Sequence, residues 1–315
     1  MAKDRAATIS SHQWTPWSMP WPLPSPQMRA TRTAVMLLVA AVACAGAAAA
    51  AGAPPQVRLR VLRFVDTSRR AHFRDGTSGP RVLVTEVRYP SNGPGPFPLI
   101  VFAHVFTEVP DAYTRLLDTW VRAGYVVAAP IFPVESAHAP GGPSESDLVN
   151  EPRDISFVIT RLTAATDPLH SLIDARRIAV AGQSDGAEAA LSVAYDSRYR
   201  DRRIDAGIVM SGAAFPGFAP PPPGAPPLLA VQGTSDPINE PAETTSYFQL
   251  MRRPKFLLWL VGAVHLPPYT TDDRWARVVD AATVAFLGHA VGGAPLAPLI
   301  DAGTQAGVAR IVSDP

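Results

Sequence analysis

Apolar runs alternate with helix-spaced segments from residue 57 to residue 290, and this predicts an α/β protein. Two observations refine that class. The run at 98–104 is continuously apolar rather than apolar at every second residue, and 125–131 reads as buried in the same way, as strands covered on both faces are. Strands separated by helices also imply a mostly parallel central sheet covered by helices on both faces. No insertion is long enough for a large cap domain. The loops at 134–148 and 212–226 are the only candidates to shape a cleft.

The elements follow in order. Val57–Val65 and Val82–Tyr89 alternate apolar and polar residues and read as exposed-edge strands of an antiparallel pair. Ser91–Pro96 is a turn cluster, and Pro98–His104 a central strand. Ala112–Ala123 has helical spacing through Leu116, Leu117, Trp120 and Val121, with Gly124 as C-cap. Tyr125–Ile131 is the next strand, and Asp154–Leu162 a helix with Ile155, Val158, Ile159 and Leu162 on its apolar face. Arg177–Ala181 is a strand that runs into a helix starting at Ala187. Strands at 205–211, 227–233 and 255–261 follow, with a helix at Glu243–Met251 and a closing helix at Asp273–Ala290. Four consecutive prolines at 220–223 bar regular structure between them. Residues 294–315 read as a weakly ordered tail.

Composition narrows the function classes. The 315 residues fit one large domain or two, and 47% hydrophobic content supports a sizeable core. A formal net charge of +1 gives no sign of a nucleic-acid or acidic partner. The single cysteine, Cys44, lies in the N-terminal apolar run, so no disulfide can form in the rest of the chain.

The N-terminus reads as an address. Arg29 and Arg32 precede an alanine-rich run from Ala34 to Ala51, followed by small residues and then Pro54-Pro55. A basic flank, an apolar core and small residues describe a secretory signal over 28–53, with Met28 as a natural start. Residues 1–27 read as an unstructured extension or an artefact of the assigned start. Two alternatives stand beside cleavage: lipidation at Cys44, whose preceding residues loosely match a lipobox, and an uncleaved anchor. The protein is thus expected to be secreted or in the cell envelope, with any membrane association through the N-terminus only.

The chemistry centres on Gly182-Gln183-Ser184-Asp185-Gly186, set between a strand and a helix. Gly-x-Ser-x-Gly in that context is a nucleophile elbow, a strained turn that projects the serine hydroxyl. Ser184 needs a base, and the base needs an orienting carboxylate. Of seven histidines, His265 alone sits just past a late strand. Asp236, in Gly233-Thr234-Ser235-Asp236-Pro237, follows the preceding strand, with Asp272 and Asp273 in reserve. The order Ser, Asp, His is the one this elbow requires. The expected oxyanion donors are the backbone N–H groups of Phe106, after the His104 strand, and of Asp185, where a helix opens. Asp154 reads as a helix-start carboxylate favouring the dipole. No grouping has metal-ligand spacing and no glycine loop resembles a nucleotide site, so no cofactor is expected.

The segment from Gly95 to Ala290 resembles the α/β-hydrolase superfamily. It is most similar to the single-domain group of dienelactone hydrolases, bacterial platelet-activating-factor acetylhydrolase-like esterases and cutinase-like polyester hydrolases. The matching stretches are Pro96–His104, Arg153–Val158, Gly182–Gly186, Gly233–Pro237 and Gly262–His265. The resemblance implies a catalytic domain over 54–293 and a serine esterase using Ser184, Asp236 and His265 on a small-molecule or lipid ester. Three positions depart from the usual pattern. Val105 replaces a glycine, Gln183 replaces a frequent histidine, and Asp185 places a carboxylate beside the oxyanion hole, where it either points away and favours the helix dipole or points inward and disfavours anionic substrates. The alternatives are a non-catalytic envelope binding protein on the same fold, motivated by Val105, and a peptidase or thioesterase using the same triad. Phe106, Ile131, Phe132 and Tyr269 are candidates to line an apolar cleft.

Overall fold

A computed structural model describes residues 55–219 and 221–315 of the chain. The signal at 28–53, the extension before it and Cys44 lie outside the described residues. Nine strands form one sheet in the order β1-β2-β4-β3-β5-β6-β7-β8-β9. They are β1 Val57–His72, β2 Ser78–Pro90, β3 Phe97–Ala103, β4 Val126–Ile131, β5 Ile173–Gln183, β6 Ala206–Met210, β7 Leu228–Gly233, β8 Lys255–Leu260 and β9 Ala309–Asp314. From β4 through β8 every neighbouring pair is parallel. The antiparallel pairings are β1 with β2, β2 with β4, and β8 with β9.

The helices are α1 Thr114–Arg122, α2 Glu151–Leu162, α3 Asp185–Tyr195, α4 Pro241–Leu250, α5 Pro267–Thr270, α6 Arg274–Ala290 and α7 Ala297–Gly303. Two apolar clusters divide them between the sheet faces. Residues of α2, α3 and α4 pack on one face, and residues of α1, α5, α6 and α7 on the other. The strands between carry fully buried Leu, Ile and Val in unbroken runs, as at Leu99–Ala103. Each such side chain is worth about 1.5–3 kcal/mol on burial. Phe102 reaches Tyr113 and Trp120, with ring centroids 4.7 and 5.9 Å apart.

Three expectations are corrected. The segment 294–315 is not a loose tail: α7 buries Leu299, and β9 pairs with β8 along its whole length. Its order comes from a partner strand some fifty residues earlier, a contact that local composition does not reveal. β2 is not an edge, because β4 pairs on its other side. Asp154 serves more than a helix dipole: it lies fully buried in α2 and accepts hydrogen bonds from Arg81 Nη2 at 2.6 Å and Arg69 Nη2 at 2.7 Å.

Candidate active site

The site is built where β3, β5, β7 and β8 end. β5 runs apolar to Gly182, and α3 begins at Asp185. A β-carbon on Gly182 would collide with the Gly186 carbonyl, and one on Gly186 with the Ala103 carbonyl, so only glycine allows this crossing. Ser184 sits at φ 56°, ψ −123°. For a non-glycine residue such a conformation costs about 1–3 kcal/mol and persists only where the surroundings enforce it. The Ser184 N–H donates to Met210 O at 3.0 Å, and its carbonyl accepts from Ala187 and Glu188 N–H. The hydroxyl is thereby fixed on an elbow held from both sides.

His265 lies on the loop after β8, and its Nε2 is 2.9 Å from Ser184 Oγ. Its Nδ1 is 2.8 Å from Asp236 Oδ2. Asp236 follows β7, is buried, and accepts from Ile238 N–H at 2.9 Å and Asn239 N–H at 3.2 Å through Oδ1. Burial alone would raise this carboxyl. The hydrogen bonds from His265 and the Ile238 N–H outweigh it and hold Asp236 below the usual carboxylate range. An ionised Asp236 accepts only, so Nδ1 carries the imidazole proton and Nε2 is free to receive one from Ser184. The reserve acids stand apart: Asp273 caps α6 by accepting from Ala276 N–H at 2.8 Å, and the carboxylate paired with His265 Nδ1 is that of Asp236, not of Asp272.

The loop after β3 is pinned by His104. This buried imidazole accepts from Phe132 N–H at Nε2, 3.1 Å away, and donates from Nδ1 to Val105 O at 2.9 Å. Burial pushes it down to about 4, so it is neutral at physiological pH. Val105 has no need of a left-handed backbone; the loop turns at Thr107, φ 69°. Val105 N–H faces Tyr113 OH at 3.3 Å, Thr107 N–H donates to Glu135 O and Glu108 N–H to Val105 O. Phe106 N–H, between them, donates to no protein group among the described residues. Asp185 N–H is one of the orphan donors of the first turn of α3. Both expected oxyanion donors are thus uncommitted to the helix and turn ladders around them.

The Asp185 carboxyl is half-buried, and its Oδ2 is sealed from solvent without a hydrogen-bond partner. Burial, and then repulsion from Glu145, push it up to about 6, against the pull of nearby His265. Of the cleft candidates, Phe132 and Tyr269 are wholly buried and belong to the core, while Phe106 and Ile131 remain partly accessible. Tyr113 joins the site without a motif in the sequence to mark it. Its one signal was a hydroxyl on an otherwise apolar helical face beside the β3 loop.

No protein-family model matches the chain, and no curated protein matches it. Among solved structures it is similar to a ferulic acid esterase from Streptomyces cinnamoneus, with a TM-score of 0.66 and 24% identity, over 82% of this chain and 96% of that one. This chain has the α/β-hydrolase fold. Within that fold Ser184, Asp236 and His265 follow β5, β7 and β8 at one rim, where ligands bind in open α/β sheets.

Proposed function

We propose that the protein is a serine hydrolase that cleaves carboxylic esters through an acyl-enzyme on Ser184. The observation that carries the reading is the unbroken line Ser184 Oγ, His265, Asp236, at 2.9 and 2.8 Å. Ser184 attacks the ester carbonyl while His265 Nε2 takes its proton. Asp236 holds the imidazole in the right tautomer and offsets its new charge. The Phe106 and Asp185 N–H groups receive the tetrahedral oxyanion, each such donor being worth about 2.7–4 kcal/mol. His265 then returns the proton to the departing alkoxide, and water repeats the sequence on the acyl-enzyme.

The likeness to a ferulic acid esterase supports an ester over an amide as the bond attacked, and makes aromatic acyl esters a sensible first panel. The resemblance to single-domain polyester and acetyl hydrolases adds short aliphatic esters to it. The apolar run at 34–51 supports action outside the cytoplasm. The test is Ser184→Ala against p-nitrophenyl and aromatic acyl esters. Turnover should drop by about a thousandfold or more. A variant that hydrolyses like the wild type ends the proposal.

A further inference from the structure

Gln183 occupies the position before the nucleophile, and its side chain is fully buried behind the site. Its Oε1 accepts from Tyr113 OH at 2.8 Å, and its Nε2 donates to the His265 carbonyl at 3.3 Å. Tyr113 OH in turn faces Val105 N–H at 3.3 Å. The His265 carbonyl can only accept, so the amide nitrogen must face it. The Val105 N–H can only donate, so the tyrosine oxygen receives it and passes its own proton to Gln183. The direction of every bond is therefore fixed: Val105 N–H to Tyr113, Tyr113 to Gln183, Gln183 to His265. The same Gln183 nitrogen also lies 3.3 Å from His265 Nε2. Two donors, the Ser184 hydroxyl and the Gln183 amide, then face one ring nitrogen, and that nitrogen cannot carry a proton at rest.

We propose that Gln183 is a positioning residue that locks the loop bearing the base to the loop bearing the oxyanion donor, with Tyr113 as the link. The proposal rests on the serine-hydrolase reading above and deepens it. Gln183 touches neither substrate nor the bond being cleaved in this role. It fixes the backbone of His265 through its carbonyl and fixes the tautomer through Nε2. Tyr113 carries the same constraint to Val105, one residue before Phe106. All three side-chain and backbone partners come from different elements: the loop after β3, the turn Pro110–Tyr113, and the loop after β8. A misplacement of about an ångström at such a site costs on the order of a hundredfold in rate.

The test uses Gln183→Met, Tyr113→Phe and the double variant in the full chain. Tyr113→Phe keeps the ring on Phe102 and guards against a folding failure at position 183. Both singles should lose about tenfold to a hundredfold in kcat with KM within about threefold. The double variant should be no worse than the weaker single, since either change cuts the same line. A second readout is independent of turnover: the low-field proton resonance of His265 Nδ1–H should shift or broaden in both singles. Additive losses, a loss confined to KM, or an unmoved resonance would overturn the proposal. A wild type that neither hydrolyses esters nor reacts with a fluorophosphonate at Ser184 would instead sink the serine-hydrolase reading, and the resonance would still judge Gln183.

Discussion

At the scale of single residues, the site depends on groups held where water alone would not hold them. Ser184 sits in a costly backbone well, and His104 is a neutral rivet rather than a base. Asp185, next to Ser184, changes state in an accessible range. Its carboxyl, pushed up to about 6, is mainly neutral below that pH and charged above it. A carboxylate beside the oxyanion position repels an anionic acyl group, so discrimination against such esters should grow as pH rises through about 6. Asp185→Asn should flatten that trend and raise relative kcat/KM for anionic esters about tenfold, measured against a neutral ester from pH 5 to 8. Ser184, Asp236 and His265, the proposed triad, could be singled out because each follows a strand in a motif with a mechanical reason. Gln183 was visible only as a departure, since its role lies in Tyr113 and His265, seventy and more residues away. Val105 signalled a changed loop but not its form: the left-handed turn lies at Thr107, two residues on, where no local signal marks it.

At the scale of elements, charge buried between β2 and α2 ties the antiparallel strands to the rest of the fold. Arg81 is wholly buried and bonds Asp147 and Asp154 together. Removing one partner of a buried pair leaves the other uncompensated. Arg81→Ala should therefore cost about 3–5 kcal/mol in urea unfolding. Close by, Glu135 and Glu151 are both fully buried and face each other, their only hydrogen-bond partner among the described residues being the other's carboxyl once one holds a proton. Burial raises both; Glu135 goes to about 8, and Glu151 is also raised well above the ordinary range by burial and by Glu135. A folded carboxyl that keeps its proton while the unfolded one loses it weakens the fold as pH rises. For Glu135 that loss begins near the ordinary glutamate value and runs to about 8. Glu135→Gln should leave stability at pH 5 almost unchanged and raise the melting midpoint by several degrees at pH 9, measured by calorimetry. The periodicity of α2 was plain in its sequence. Its acidic residues could not be assigned, because Arg81 lies seventy-three positions away.

At the scale of the whole molecule, the parallel core was readable and its margins were not. Continuous apolar runs mark strands buried on both faces, and they needed no partner to be recognised. β9 has six ordinary residues, and only the open side of β8 gives them a reason to extend. Arg310 stacks over Trp259 at 5.3 Å across that pair. If α7 and β9 belong to the cooperative unit, Leu299→Ala should lower stability by about 2–5 kcal/mol in one transition. A separate early transition in a denaturant melt would count against it. The elbow has a broader consequence. Where β5 crosses α3 there is no space for even a methyl group at 182 or 186, so those positions are closed to variation. Positions 183 and 185 carry side chains in the same turn, Gln183 fully buried and Asp185 half-buried. They are also the two places where a base loop can be retied or the charge around an oxyanion reset. Reactivity can thus be retuned on either side of the nucleophile while the hinge that presents it stays the same.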